Sequence, residues 1–563
     1  PPPPSPLAPP PSSAAAASFW DPPELEPVTS AYVHLPFCRR RCYYCDFAIS
    51  VVGDDVESDR VRRGMEQYVD VLCREIAATP LAPSSRSRRA AKPPTGGAEE
   101  SERRRRRSGG ADAAADSDSD SDASPRLASP HPLRTVFFGG GTPSLVPPDL
   151  LRRVLSALDA RFGIHPDAEI SAEMDPGTFD RAKLDAFVAA GVTRVSLGAQ
   201  SFDPEVLKLA GRAHTVAETR RAIEWLGDVR SRVRTDAAGE ERPKNSSENG
   251  ALGTRTADDR FRWSLDLISG LPGLTRDAWL ASLREAIRHE PDHVSVYDLQ
   301  VEEGTPFARW YSPGAHPLPS DSDAARMFRD ASEVLRTEGG YEHYEVSSYA
   351  KRGARCLHNE TYWDAGRRGW YAFGMAATSA TGEKRGRVAR PRKMSEYYAW
   401  VDAMEGPGGV PREQGDEARA EDAAFAEDAT FFVSGGEGDD DDFDDDDASP
   451  PSREERRAEA LLERIMLGLR TRDGVDLVRL RAEFGEDAPR EVLEALSAQP
   501  DGLAALTRER GGGGGEEEET PLEAADLDDA TFARVRLTDP EGLAVSTEII
   551  ANIVASAPSM KAL

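Results

Sequence analysis

The sequence predicts an α/β protein built on a parallel sheet, followed by a small α+β module. Three observations carry that reading. Six short apolar segments, Ala31–Leu35, Arg134–Phe138, Glu169–Glu173, Arg194–Gly198, Trp263–Ile268 and Asp292–Tyr297, alternate with amphipathic helical stretches. That alternation is the pattern of successive right-handed β-α-β units. From about residue 456 the pattern changes to short helices and one strand-like segment, Arg534–Asp539. Between these runs lie polar stretches with no apolar period, which read as disordered insertions.

Residues 1–27 are Pro, Ala and Ser with almost no charge before Asp21, a composition that predicts a disordered leader. A Ser- and Ala-rich lead also fits the remnant of an organelle transit region, without the Arg such peptides usually carry. The first strand leads to a helix around Met65–Ala78, and the second to Pro148–Phe162, where Pro147-Pro148-Asp149 marks a helix start. The third leads to Asp180–Ala190, the fourth to Asp203–Ala210 and Val216–Leu226, and the fifth to Arg276–His289. The sixth closes a core spanning residues 28–310, which residues 311–404 extend through Phe328–Arg336, Tyr341–Tyr349 and His358–Trp363.

Four insertions interrupt the pattern. Residues 80–130 hold the arginine run Arg103–Arg107, and residues 231–259 are rich in Gly, Asn and Ser. Residues 405–455 carry the acidic run Asp439–Asp447, and a fourth tract runs from Gly511 to Glu519. Each falls between periodic segments, so each is predicted to be a surface loop. Residues 456–563 form the C-terminal module, with helices at Ala458–Gly468, Val475–Phe484 and Arg490–Leu496 and a winged-helix-type pattern.

Composition bounds the function. A chain of 563 residues is long enough for two or three domains. Its net charge of −29 excludes a general nucleic-acid binder, because phosphate neutralisation needs surplus Lys and Arg. No apolar run approaches the roughly 20 residues that span a bilayer, so no transmembrane segment is expected. Five cysteines, three of them in one motif, fit a reducing compartment and not a disulfide scaffold.

Those three, Cys38, Cys42 and Cys45, are spaced C-x3-C-x2-C directly after the first strand. Three thiolates on one short loop can wrap a compact inorganic centre, and a four-iron cubane so held keeps one iron without a protein ligand. The competing reading, an incomplete zinc knuckle or buried free thiols, lacks a fourth Cys or paired His nearby. With the preceding Tyr32-x-His34-x-Pro36-Phe37, the motif resembles the signature of radical S-adenosylmethionine (SAM) enzymes. More narrowly, it resembles the branch of oxygen-independent coproporphyrinogen III oxidase (HemN) and the haem chaperone HemW. The resemblance implies a partial (β/α)6 barrel rather than an open doubly wound sheet. It also implies a [4Fe-4S] cluster whose fourth iron is chelated by the amino and carboxylate groups of SAM, and an electron donor that drives SAM cleavage.

In such barrels the C-terminal strand ends face the active site. Gly139-Gly140-Gly141-Thr142-Pro143 follows the second strand but lacks the Lys-Ser/Thr of a phosphate-binding P-loop. The resemblance makes Gly140, Gly141 and Thr142 the loop that meets the methionine end of SAM. It likewise places Glu173, Gln200, Arg212 and Asp266 at SAM-contacting positions, and Tyr32 and Tyr44 at aromatic positions flanking cluster and ligand. His34 alternates with Val33 and Leu35, which leaves two readings: a group near the reacting centre, and a satisfied core histidine. Cys73 lies on an apolar helix face and reads as a buried thiol. Cys356 and His358, in Cys356-Leu357-His358-Asn359, are candidate haem ligands, against the reading that His358-Asn359-x-x-Tyr362-Trp363 packs the end of the barrel.

One departure bears on the subfamily. The oxidase pattern continues to a fourth cysteine two positions after the third, where this chain has Phe47. That feature, with Gly211-Arg212-Ala213-His214 and the His358–Trp363 motif, resembles HemW. The expected function is a radical SAM iron–sulfur protein that binds haem and passes it to haem-accepting proteins. The alternatives are the oxidative decarboxylation of coproporphyrinogen III and a scaffold role for the acidic insert. The expected setting is an organelle matrix, mitochondrial or plastid, or the cytoplasm.

Overall fold

A computed structural model describes residues 26–82, 131–238, 261–364, 367–381, 386–404, 452–508, 518–522 and 533–556. The bulk of the expected leader and of all four insertions lies outside them. The strands of the first 400 residues are β1 (Ser30–Leu35), β2 (Phe37–Cys38), β3 (Ser50–Val51), β4 (Leu133–Gly140), β5 (Ile164–Met174), β6 (Arg194–Gln200), β7 (Arg262–Ser269), β8 (His293–Asp298), β9 (Glu342–Glu345), β10 (Ser348–Ala350), β11 (Tyr371–Phe373), β12 (Thr378–Ala380) and β13 (Arg387–Ala389).

The six expected strands stand side by side in chain order within a nine-stranded sheet, β11-β1-β4-β5-β6-β7-β8-β10-β9. Every pairing from β1 through β8 in that order is parallel. Helices cross between them at Asp59–Ala78, Pro148–Phe162, Arg181–Ala190, Val216–Ala238 and Arg276–Arg288. This is the partial barrel that the motif resemblance implies.

Three strands extend the sheet beyond the sequence reading. β11 returns to pair in parallel with β1, setting Tyr32 opposite Ala372, and β10 and β9 add antiparallel to β8. Strands of three or four residues are too short to show a period, so only their partners define them. The helix that the sequence ends at Leu226 runs on to Ala238, into the expected insertion. In its second half Val229 and Val233, four positions apart, keep one face on the core, and Arg230 and Arg232 pair with Asp292 at 3.1 Å and Asp185 at 2.6 Å.

The period of two along each strand sorts the residues by face. Val33, Val136, Ile170, Val195, Leu265 and Val294 face the helices and belong to one apolar core that reaches from Val28 to Val401. The alternate positions, among them Glu173, Ser196, Asp266, Ser295 and Tyr297, line the interior of the barrel. The polar residues of these strands therefore share one cavity.

The C-terminal module packs helices Arg453–Leu469, Leu477–Phe484 and Asp487–Ser497 on an antiparallel sheet of β14 (Val475–Asp476), β15 (Ala504–Arg508), β16 (Glu518–Pro521) and β17 (Arg534–Leu537). Only β17 is legible in the sequence. The module sits against β9: Val346 donates its N–H to the Arg470 carbonyl and Arg472 to the Tyr344 carbonyl, both at 2.9 Å. Asp539 accepts from Ser332 and lies 2.8 Å from His343 Nδ1.

Candidate functional site

The three thiols sit on one loop pinned at both ends. β2 and β3 pair through Phe37 and Ser50, and Val52 N–H donates to the Cys38 carbonyl at 2.9 Å. Cys38 Sγ lies 3.4 Å from Thr142 Oγ1, and Cys42 Sγ accepts from Arg212 Nη1 at 3.2 Å. Burial pushes the Cys38 and Cys45 thiols up to about 12, so their thiolates need a cation to neutralise them. Among the described residues no three His, Cys, Asp or Glu side chains are grouped to hold a single metal ion. A cubane asks for something else: three separate irons with one thiolate each, which these donors fit.

The glycine run has a packing reason of its own. Gly139 and Gly140 lie within β4, not after it. Gly140 has φ 107°, and a Cβ there would fall on the His34 imidazole; one on Gly141 would lie 2.6 Å from the Pro36 carbonyl carbon. Glycine thus lets the end of β4 press against the start of the cysteine loop. Gly140 N–H points inward and donates to Glu173 Oε2 at 3.1 Å.

His34 is held on both ring nitrogens, by Tyr32 Oη at 3.1 Å on Nδ1 and the Ala48 carbonyl at 2.9 Å on Nε2. Burial lowers its pKa to about 4, so the ring is neutral. Its partners support the core reading, in which His34 ties β1 to the loop beyond the cysteines. They give no support to the expectation of a reacting group.

Inside the barrel, Glu173 and Asp266 face one cavity together with Ser171, Ser196, Ser264, Ser295 and Tyr297. Ser196 donates to Asp266 at 2.9 Å. Burial, reinforced by Asp266, pushes Glu173 up to about 8; burial, opposed by hydroxyls of Ser295 and Ser196, pushes Asp266 up to about 6. Gln200 ends β6 at φ 63°, a left-handed conformation that costs a non-glycine residue, and its buried Oε1 has no partner among the described residues. Ser171 Oγ and Arg212 Nε are also buried without partners there. Carboxylates that no cation pairs among the described residues, together with orphaned polar atoms, suit a ligand that carries an ammonium, a sulfonium and hydroxyls.

Glu173 makes a pH prediction. The folded chain keeps a proton on this group up to about pH 8, whereas an ordinary glutamate loses it near 4.5. Its contribution to stability therefore falls as pH rises through that window, because the native state binds the extra proton. Glu173→Gln, which cannot ionise, is expected to flatten that part of the slope in thermal melts of SAM-free protein. Parallel wild-type and variant curves would refute the buried, uncompensated carboxylate.

Arg212 joins the two halves of the site. It contacts Asp175, donates to the Gly198 carbonyl at 3.1 Å, and reaches Tyr44 Oη at 3.2 Å as well as Cys42. Burial raises Asp175, but the Arg212 guanidinium outweighs it and holds the carboxyl below its usual range. His214 Nδ1 stands 3.5 Å from the same carboxylate. Asp175 is a further site residue, marked in the sequence only as an acid directly after a strand end.

Comparison with known proteins fits this geometry. The radical SAM superfamily model matches residues 125–237 and the HemN C-terminal domain model residues 456–510. The heme chaperone HemW of Synechocystis is 32% identical over 529 residues, 94% of this chain and 97% of that protein. The chain belongs to the HemW family of radical SAM proteins. HemW of Escherichia coli is 30% identical over 65% of this chain and 74% of its own. The bovine mitochondrial radical S-adenosyl methionine domain-containing protein 1 is 31% identical over 60% of this chain and 57% of its own. The structure of E. coli coproporphyrinogen III oxidase (HemN) aligns over 94% of this chain and 90% of its own, with TM-score 0.56 and 18% identity, which shows a shared fold. The radical SAM family implies a [4Fe-4S] cluster and SAM. Among the described residues no helix is long and apolar enough to cross a membrane.

Within the HemW fold, His358 stands apart from the cysteines. Its Nδ1 pairs with Thr135 Oγ1 and its Nε2 with Tyr362 Oη, both at 2.9 Å, and its ring stacks on Phe137. Thr135 lies near the start of β4, while the cysteine loop meets the strand ends; five residues of strand separate Thr135 from Gly140, roughly 17 Å. Burial lowers the His358 pKa to about 3. The helix Leu357–Trp363 closes that end of the barrel, with Cys356 against Glu169 at 3.7 Å. In this arrangement neither His358 nor Cys356 offers an open haem ligand, because both are enclosed and engaged.

Proposed function

We propose that this chain is a haem chaperone: it binds haem and hands it to an acceptor protein, and it does not decarboxylate coproporphyrinogen III. The observation that carries this reading is Phe47. By the motif resemblance the oxidase has a cysteine there, and a phenyl ring can neither ligate metal nor exchange a proton. The similarity to proteins named heme chaperone HemW supports the same conclusion. Cys38, Cys42 and Cys45 would hold the cluster, which when bound supplies one electron and one open iron. Glu173, Gln200, Arg212 and Asp266, with Tyr32, Tyr44, Gly140, Gly141 and Thr142, would hold SAM, while Asp175, with His214 beside it, braces Arg212. An electron donor and a haem-accepting protein are the partners this implies, in an organelle matrix or the cytoplasm, where thiols stay reduced.

The test is anaerobic purification followed by two assays on one sample. Haem is expected to bind with a shifted Soret band, and coproporphyrinogen III is expected to remain unconverted. Formation of protoporphyrinogen IX with matched 5'-deoxyadenosine would overturn the chaperone reading.

A further inference from the structure

The helix Leu357–Trp363, which closes one end of the barrel, is gripped at both of its ends by the C-terminal module. Ahead of the helix, Arg355 pairs with Asp473 at 3.0 Å; past its last turn the capping residue, Asp364, pairs with Arg464 at 3.1 Å. Arg464 belongs to the helix Arg453–Leu469 and is set in place by its own module. Its other amino group donates to Glu483 at 3.0 Å, and Arg479 donates to the second Glu483 oxygen at 2.9 Å. The barrel adds pairs of its own here, Arg355 with Glu342 at 2.9 Å and Arg368 with Asp364 at 3.6 Å. It also holds the inner face of the helix, through Glu169 on Leu357 N–H, Thr135 on His358 and Ser30 on Thr361.

Charge, more than apolar packing, joins the module to the barrel. The described apolar side chains form separate cores in the two, and Phe328 is the one described barrel residue buried in the core of the module. Three further pairs cross the seam: Arg329 with Glu541 at 2.8 Å, Arg336 with Asp539 at 2.9 Å and Arg387 with Glu463 at 3.2 Å. A polar interface of this kind lets two units move apart, and part-exposed ion pairs weaken as salt screens them. The closed helix also carries a cost. Asn359 Oδ1 and Trp363 Nε1 are buried with no partner among the described residues, and an unpaired buried polar atom opposes the arrangement that buries it. A helix held shut against such a cost opens when part of its hold is removed.

We propose that the C-terminal module is an ionic clamp on this helix. Docked, it keeps the end of the barrel shut through Arg464 and Asp473; lifted, it frees the helix and opens the interior from the end away from the cysteine loop. A ligand then enters or leaves by that end while the cluster loop stays in place. The gate acts on the barrel itself and operates whether or not the cargo is haem.

Cys356 reports the opening. It is 4% exposed and burial pushes its thiol up to about 12, so it reacts only when the helix moves away. The test is iodoacetamide labelling of the full chain, cluster-loaded and anaerobic, read residue by residue by mass spectrometry alongside amide hydrogen exchange. The double variant Arg464→Ala, Asp473→Ala is expected to label at Cys356 about tenfold faster than wild type, as loss of two partly exposed ion pairs allows. Exchange in Leu357–Trp363 is expected to rise with it, while Cys73 labelling and exchange in β5 and β6 stay as in wild type. The conservative variant Arg464→Lys, Asp473→Glu is expected to stay near wild type. Unchanged Cys356 labelling in the alanine variant would overturn the clamp. An equal rise at Cys73 and across β5 and β6 would overturn it too, since the whole barrel would then be loosened. Opening as wide in the conservative variant would show that packing and not charge holds the helix, and would refute an ionic clamp. A salt series on the wild type needs no variant to fold: about 1 M salt, which screens charges beyond roughly 3 Å, is expected to speed Cys356 labelling. Labelling indifferent to salt would refute the clamp on that ground alone.

Discussion

Changing Cys38, Cys42 or Cys45 to alanine is expected to abolish the brown chromophore of anaerobically reconstituted protein. Bound iron should fall from about four per chain to background, following the cubane stoichiometry. Cys73→Ala and Cys356→Ala are expected to keep both colour and iron. The reason is placement. Cys73 is half-buried on the helix Asp59–Ala78, with Sγ 4.0 Å from the Arg153 carbonyl. Cys356 caps the helix at the other end of the barrel, against Glu169. Only the three loop thiols share a segment with an open iron position to offer. Iron loss in Cys73→Ala, with the fold intact by circular dichroism, would sink the three-cysteine assignment.

The second large effect concerns stability. Arg194 and Glu169 form an ion pair at 3.3 Å, with side chains only 2% and 1% exposed. Arg194 also donates to the Ala354 carbonyl at 3.0 Å, and Glu169 Oε1 accepts from Leu357 N–H at 2.9 Å. The pair therefore fastens the helix Leu357–Trp363 to the strands it closes. Arg194→Met is expected to cost about 3–5 kcal/mol, because it leaves a carboxylate buried without its cation. That is a large part of a total stability of about 5–15 kcal/mol. Replacing both residues, Arg194→Met with Glu169→Leu, is expected to recover part of the loss, since no charge is then stranded. Urea unfolding followed by circular dichroism measures both. A single variant within about 1 kcal/mol of wild type would show that water or a rearranged neighbour satisfies Glu169.

Much of the site is legible in the sequence because its signals are local. The cysteines lie within one loop, so their spacing alone carries the chemistry. Glu173, Gln200 and Asp266 each lie at or near a strand end, and a parallel barrel brings successive strand ends to one rim. The same logic applies to Asp175, which directly follows the end of β5.

By itself the sequence determined the cysteine loop, the six alternating strands with their helices, and the family these imply. Those features rest on spacing and on periods of two and 3.6, which act between neighbours in the chain. The tertiary structure alone decided what the histidines do. His34 and His358 have the residue type of ligands, yet their partners saturate them. For His358 one partner is Thr135, 223 positions away in the chain. It also decided that Gly140 is required by the His34 ring, and that β9, β10 and β11 belong to the main sheet. A hydrogen bond or a short strand depends on which distant segment arrives beside it. That arrival is set by the packing of the whole core, which no local period records.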